Sequence, residues 1–258
     1  MRVIFLTASP KRRGGASRYF ASLLRLFLPG AQKTILPLRN RGDFSKALSA
    51  LEDIDALCLC FPLYVDALPS HLIEFLALAE AHCREHACHF RVYALGNNGF
   101  IEGRQNRPAL RMLRAWCEQA NLPYGGGIGI GGGAMLRVLG IVYPILLLLS
   151  LAQIALALCG AGGNAHDPLL SLGTQLASWL FFNAAVLVGM ARLACAMRKG
   201  REITDFYARV LLPTFLFIPI ADLFMVLSSA FQGRFLFALC KRDVWRQKTS
   251  GNEANSHS

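Results

Sequence analysis

The chain has 258 residues, a net charge of +11, 54% apolar residues and a mean hydropathy of +0.39. That apolar share is high for a wholly soluble protein. The basic balance suits nucleic acid, a phosphate ligand or an anionic membrane surface. No aromatic-interleaved basic patch of a nucleic-acid reader is present, so nucleic acid is not an expected partner. The first 137 residues carry 17 Lys/Arg and 10 Asp/Glu, the remainder 10 and 6.

The N-terminal "MRVIFLTASP" has an apolar run of only about five residues and no small-residue cleavage site, so it does not read as a signal peptide. The N-terminal half is therefore expected in the cytoplasm, with the eight cysteines as free thiols. "RVIFLT" reads as a buried strand, and "ASRYFASLLRLF" as an amphipathic helix through Leu23, Leu24 and Phe27. "KTILPL" is a short strand. "DFSKALSALEDI" is a helix with Asp43 placed to cap it. "DALCLCF" is a buried strand in which Cys58 and Cys60 are expected to alternate faces as core residues. "LPSHLIEFLALAEAH" is a helix opened by Pro69 or Ser70. "FRVYALG" is a strand, "RPALRMLRAWCEQANL" a helix and "GGGIGIG" a last strand. Alternation of helices with continuously apolar strands predicts a parallel sheet covered on both faces. Ligands of such sheets sit at the carboxyl ends of the strands, where strand order reverses.

The loop "TASPKRRGGAS" joins the first strand to the first helix. Its backbone N–H groups and the helix start behind them suit an anion, and Ser9, Lys11, Arg12, Arg13 and Ser17 add donors and charge. It is neither a Walker loop nor G-x-G-x-x-G. Two further loops follow strands, "PLYVDALPSHLIEFL" and "NNGFIEGRQNRPAL". Together, over roughly residues 1 to 135, these motifs resemble the NAD(P)H-dependent FMN reductase type of flavoprotein. The resemblance implies a flavodoxin-like, doubly wound parallel five-stranded sheet. It implies FMN as cofactor, NAD(P)H as electron donor and a small-molecule redox substrate. Ser9, Lys11, Arg12 and Ser17 match the family's phosphate loop. Pro62, Leu63 and Tyr64 match the loop along the isoalloxazine, and Asn97, Asn98, Gly99 and Phe100 the loop at the ring's other edge. Family members often carry Asn-Thr or Asn-Ser where this chain has Ala16-Ser17, which removes a polar partner worth about 1 kcal/mol. The four-cysteine cluster of the family's iron–sulfur members has no counterpart before the third strand. No catalytic side chain is assigned, because a flavin carries its own chemistry.

"AHCREHACHF" sets His82, His86 and His89 at i, i+4 and i+7. The spacing matches no zinc pattern, and the segment reads as a solvated helix end, without a metal.

Residues 136–240 read as an all-α hydrophobic membrane region. Residues 138–160 and 169–191 are charge-free and long enough to span hydrocarbon. Eleven Leu, Ile or Val lie within 141–159, worth about 3 to 7 kcal/mol on insertion. The linker "AGGNAHDP" lacks Lys and Arg, whereas "RLACAMRKGREITDFYAR" holds five basic residues. A multi-pass chain with its N-terminal domain cytoplasmic follows. Residues 210–232 hold Pro213, Pro219 and Asp222, which favours a re-entrant or interfacial segment over a full span. Residues 241–258 read as a basic, then polar, disordered tail. Membrane lipid and a second copy in a homodimer complete the expected partners. The leading function is a membrane-anchored FMN-dependent oxidoreductase with an acceptor such as a quinone. The alternative is a membrane-tethered interaction module with weak or lost FMN binding.

Overall fold

The computed structural model describes residues 1–10, 15–64, 67–159 and 166–231. Lys11 and Arg12 of the first loop, most of the linker and the 241–258 tail lie outside the described residues. The chain divides into two compact units, Met1–Leu211 and Leu212–Ser258.

In the first unit, β1 (Arg2–Thr7) leads to α1 (Ala16–Leu26) and β2 (Gln32–Pro37). Next come α2 (Phe44–Ser49), β3 (Ala56–Pro62), α3 (Ser70–Glu85) and β4 (Arg91–Asn97). Then α4 (Arg107–Gln119), β5 (Tyr124–Ile130), α5 (Gly133–Leu158), α6 (His166–Lys199) and β6 (Phe206–Ala208) follow. The strands form one parallel sheet in the order β2-β1-β3-β4-β5-β6. This is the flavodoxin-like order with one strand added, so six strands replace the five expected. The sixth is three residues long, paired Ile128↔Phe206 to Ile130↔Ala208. A run that short carries no periodicity from which it could be read.

Alternate strand residues face opposite layers. Leu57, Leu59 and Phe61 of β3 pack with α2, α3 and α4 through Phe44, Leu72, Phe75, Leu110 and Leu113. On the other face lie Phe5, Cys58, Cys60, Tyr93 and Ile128, with Phe20 and Leu24 of α1. Cys58 and Cys60, two apart, share that face with sulfurs 3.8 Å apart, which corrects the expected alternation. Burial and the neighbouring thiol push Cys60 well above the usual thiol range, as suits a core residue. Asp43 precedes α2 without capping it by its side chain. Its carboxylate instead accepts from the Arg39 backbone N–H at 2.9 Å and from Arg39 Nε at 3.1 Å. The Arg39 hydrogen bond holds the Asp43 carboxyl below its usual value.

β5 is rich in glycine because other groups occupy the space of its side chains. A Cβ on Gly125 would run into the Tyr93 ring. That ring is held by its hydroxyl, which shares its one hydrogen between the Ala196 and Arg201 carbonyls, 3.1 Å from each. Gly126 takes φ +104° where the β4–β5 register shifts. Gly125→Ala is expected to cost about 1–3 kcal/mol, since the ring cannot step aside without breaking both bonds. A thermal midpoint equal to wild type would disprove this.

The helix that covers β5 on the α1 face is not the one that follows it in sequence. After Gly132 (φ +69°), α5 leaves the sheet. Leu136 is buried and Gly140 abuts Tyr19 of α1, but most residues from Ile141 to Leu158 are largely exposed. α6 returns alongside it. Tyr143 donates to Ser178 Oγ at 2.9 Å, and Gln175 Nε2 to Ser150 Oγ at 3.2 Å. From Asn183 onward α6 becomes core. Val186, Met190, Leu193 and Met197 are buried, and Gly189 sits against Ile128 and Phe206. The apolar stretch expected as a span over 169–191 is thus divided within one helix: its first half is largely exposed, its second covers the sheet.

In the second unit, α7 (Thr214–Phe231) is apolar, with Pro219 inside and Phe215, Ile218 and Leu223 exposed.

Candidate functional site

The strand order reverses direction between β1 and β3, and the loops that leave those strands and β4 gather at the carboxyl edge. In open parallel sheets, ligands bind in the crevice at such a switch point. Thr7 ends β1 with its hydroxyl donating to the Leu36 carbonyl at 3.3 Å. Ser9 follows, nearly buried, and α1 begins at Ala16 behind Gly15. Among the described residues the N-cap is Gly15, which has no side chain to cap α1, and the first turn carries no acid, a helix start that suits an anion. A Cβ on Gly15 would stand 2.8 Å from Ser9 Oγ. The glycine therefore makes room for that hydroxyl at the helix start, and this cradle fits a phosphate.

Ser17 is brought to the same place but faces inward. Its Oγ accepts from Asn97 Nδ2 at 2.9 Å, and the same amide donates to the Phe61 carbonyl at 2.9 Å. The Asn97–Ser17 pair ties the ends of β3 and β4 to α1. It uses both amide hydrogens of Asn97, while the Ser17 hydroxyl keeps its own hydrogen to donate. The Leu63 N–H donates to the Asn97 carbonyl at 2.7 Å, joining the second loop to the third.

Tyr64 closes a tight turn with Ala67 and is 45% exposed. Partial burial raises its hydroxyl above the usual phenol value. Pro62 and Leu63 are half-buried. The Asn98 N–H donates to the Ile130 carbonyl and its amide to the Glu102 carbonyl, both at 3.0 Å. Asn98 Oδ1 is buried without a partner among the described residues, an acceptor that a ligand N–H would satisfy. A Cβ on Gly99 would meet open space, and Phe100 is 63% exposed, its carbonyl accepting from the Gly132 N–H. Two exposed aromatics and an orphaned acceptor at one edge fit a planar heteroaromatic ring.

His71, in the first turn of α3, stands near the same loops and is not singled out by the sequence, where it reads as part of a helix. Its imidazole stands beside the Ala8 and Leu38 carbonyls, and Nε2 is buried with no partner among the described residues. Burial lowers its pKa, and the two carbonyls oppose this only in part. A histidine whose folded pKa is depressed binds its proton more weakly folded than unfolded. Its contribution to stability is therefore present above the ordinary histidine value and lost as pH falls through it. The midpoint of wild type is expected to drop more than that of His71→Asn between about pH 8 and pH 5. Parallel curves for the two proteins would disprove the assignment.

His82 and His86 stack with centroids 4.1 Å apart, and Glu52 approaches them at 3.5 and 3.9 Å. Their ligand atoms lie within 4.8 Å of one another, without His89. This half-exposed group stands at the amino edge of the sheet, remote from the loops above. A cleft of about 430 Å³ lined by Phe27, Ala191, Cys195, Arg198 and Lys199 also opens at the amino edge.

No protein-family model matches the chain, and no curated protein matches it in sequence. Among solved structures, it is similar to the Trp repressor binding protein from Bacillus subtilis (14% identity, TM-score 0.41, 50% of this chain and 84% of that one). It is also similar to an NAD(P)H:quinone oxidoreductase from Methanothermobacter marburgensis (16%, 0.43, 51% and 84%). A third is FerB, a flavoenzyme NAD(P)H:(acceptor) oxidoreductase from Paracoccus denitrificans (14%, 0.40, 48% and 74%). These likenesses cover about half of the chain, and at such identity no activity passes from them to it.

Proposed function

We propose that the chain is a membrane-anchored flavoprotein that passes electrons from NAD(P)H to an acceptor such as a quinone. The observation that carries the reading is the cradle at the β1/β3 switch point: a helix start behind Gly15 and beside Ser9, with Tyr64, Asn98 and Phe100 at the same edge. FMN, when bound, supplies the two-electron chemistry, with the net change NAD(P)H + H⁺ + quinone → NAD(P)⁺ + hydroquinone. Ser9, the α1 N–H groups, Lys11 and Arg12 hold its phosphate. Pro62, Leu63, Tyr64 and the Asn97–Phe100 loop bound its ring. His71 beside the Ala8 carbonyl stays neutral and leaves the charge of the phosphate loop to the arginines and lysine.

The α5–α6 hairpin is the anchor. α5 is long and apolar enough to cross a bilayer, and α6 passes the same test of length and composition over Asp167–Lys199, of which residues 167–182 extend free of the sheet. α5 is apolar all round, as a lipid-facing helix must be. The Tyr143–Ser178 and Ser150–Gln175 bonds satisfy polar groups between the helices, a recurrent device in hydrocarbon. Both ends of the hairpin return to the sheet, so the sheet lies on one side. The excess of Lys and Arg there makes that side cytoplasmic. On the same charge argument, α7 is interfacial and the tail cytoplasmic.

A second reading, an interaction module without flavin, is favoured by Ala16 and by the Ser17–Asn97 bond, which engages groups assigned to the cofactor. Detergent-purified protein with the visible absorption of a flavin, releasing FMN on denaturation, supports the enzyme. Colourless protein that takes up no added FMN supports the module.

A further inference from the structure

The hairpin leaves from the same edge of the sheet as the candidate site. Along α6, Ala196 lies at Tyr93, near the start of β4, whereas Gly189 lies at Ile128 and Phe206. Phe182, one step further back, accepts from the Leu211 N–H just past the end of β6. α6 therefore runs antiparallel to the strands, and residues 166–182 continue past the carboxyl edge for about 25 Å. Residues 141–158 of α5 rise beside them for about 27 Å. Those lengths are close to the roughly 30 Å of a hydrocarbon core, with no chain left over as a spacer.

We propose that the carboxyl edge of the sheet is itself a membrane-contact face, seated in the headgroup layer of an anionic bilayer, so that its site opens toward lipid. The bilayer part rests on the anchor reading above; the assignment of the edge does not require FMN. The Gly132 N–H donates to the Phe100 carbonyl directly before α5 begins, which places the exposed Phe100 ring at the root of the hairpin. Arg137 stands in the next turn of α5. Arg104 is exposed on the short turn Gly103–Asn106, which packs on the ends of β5 and β6, and Arg209 follows β6. Glu102, the acid among them, pairs with Arg209 at 2.6 Å. The carboxyl edge also carries Asp43, paired with Arg39, and Glu74, paired with Arg41; the opposite edge holds Glu52, Asp53, Asp55 and Glu85. Exposed aromatic rings set among arginines suit an interfacial layer, where the rings meet acyl chains and the guanidinium groups meet lipid phosphates. A ligand reaching this edge from the membrane side is a lipid-dissolved amphiphile, its polar head arriving at the level of Tyr64 and Phe100.

The test places a nitroxide at single cysteines in a Cys159→Ser, Cys195→Ser, Cys240→Ser background. The full chain is reconstituted in phosphatidylethanolamine–phosphatidylglycerol vesicles. Labels at Phe100→Cys and Tyr64→Cys are compared with Leu148→Cys on the hairpin and Glu85→Cys at the far edge. The expected result is a ratio of oxygen to nickel-chelate collisions at positions 100 and 64 several-fold above that at 85, and below that at 148. A ratio at both equal to that at 85, with 148 lipid-exposed, overturns the contact face while leaving the anchor intact. A water-exposed label at 148 overturns anchor and face together. Flavin content does not enter the readout, so loss of the cofactor reading leaves this result interpretable.

Discussion

Replacing Ser9 and Arg12 together by alanine is expected to weaken FMN binding by about 2–4 kcal/mol, which is roughly 30- to 1000-fold in Kd. The Ser9 hydroxyl stands at the start of α1, 2.8 Å from where a Gly15 Cβ would be. Arg12 lies in the loop between them in sequence. In the proposed site each would give a charge-assisted hydrogen bond to a dianionic phosphate; such bonds are worth about 1.5–3 kcal/mol apiece, and because they act on one phosphate the joint loss falls below their sum. The helix start remains in the double variant, so binding is expected to weaken and not to vanish. Titration of the apo-proteins with FMN, followed by flavin fluorescence, reads the change. Gly15→Ala is expected to act in the same direction by crowding the Ser9 hydroxyl out of the cradle. Equal affinity in wild type and double variant would refute the phosphate assignment.

A larger effect is expected from cutting the chain in two different ways. A chain ending at Gly133 loses Val186, Met190, Leu193 and Met197, all buried on the sheet. At about 1.5–3 kcal/mol for each buried side chain, that is comparable to the whole stability of a domain, about 5–15 kcal/mol. This truncated chain is expected to aggregate. Excising residues 138–182 and joining Arg137 to Asn183 through a short glycine linker removes the largely exposed part of the hairpin, and with it the contact of Gly140 with Tyr19 and the Phe182–Leu211 hydrogen bond. The Tyr143–Ser178 and Ser150–Gln175 pairings show that the two ends lie side by side. The excised protein is expected to be soluble, to unfold cooperatively and to leave the membrane fraction. The full chain is expected to remain with the membrane after a carbonate wash. Full-length protein in the washed supernatant would refute insertion. A Gly133-truncated chain as stable as the excised one would refute the covering role of α6.

The parallel sheet was legible because its strands are short, continuously apolar runs separated by amphipathic helices, and a buried strand leaves that pattern in the residues themselves. The three loops were legible because glycine, serine, asparagine and proline recur where the backbone must turn at strand ends. His71 was not: its role comes from the carbonyls of Ala8 and Leu38, more than thirty residues away in the chain. Nor was the Asn97–Ser17 bond, which joins residues 80 apart. The deepest limit concerns residues 169–191. Hydropathy counts apolar side chains, and a side chain packed on a sheet is as apolar as one meeting lipid. Leu169, Leu170 and Phe181 are exposed, whereas Val186 and Met190 are core, although all five belong to one charge-free run. Composition establishes that such a run avoids water. Whether it avoids water in hydrocarbon or against Ile128 and Phe206 depends on where β5 and β6 come to lie, and that is settled only when the sheet has closed around them.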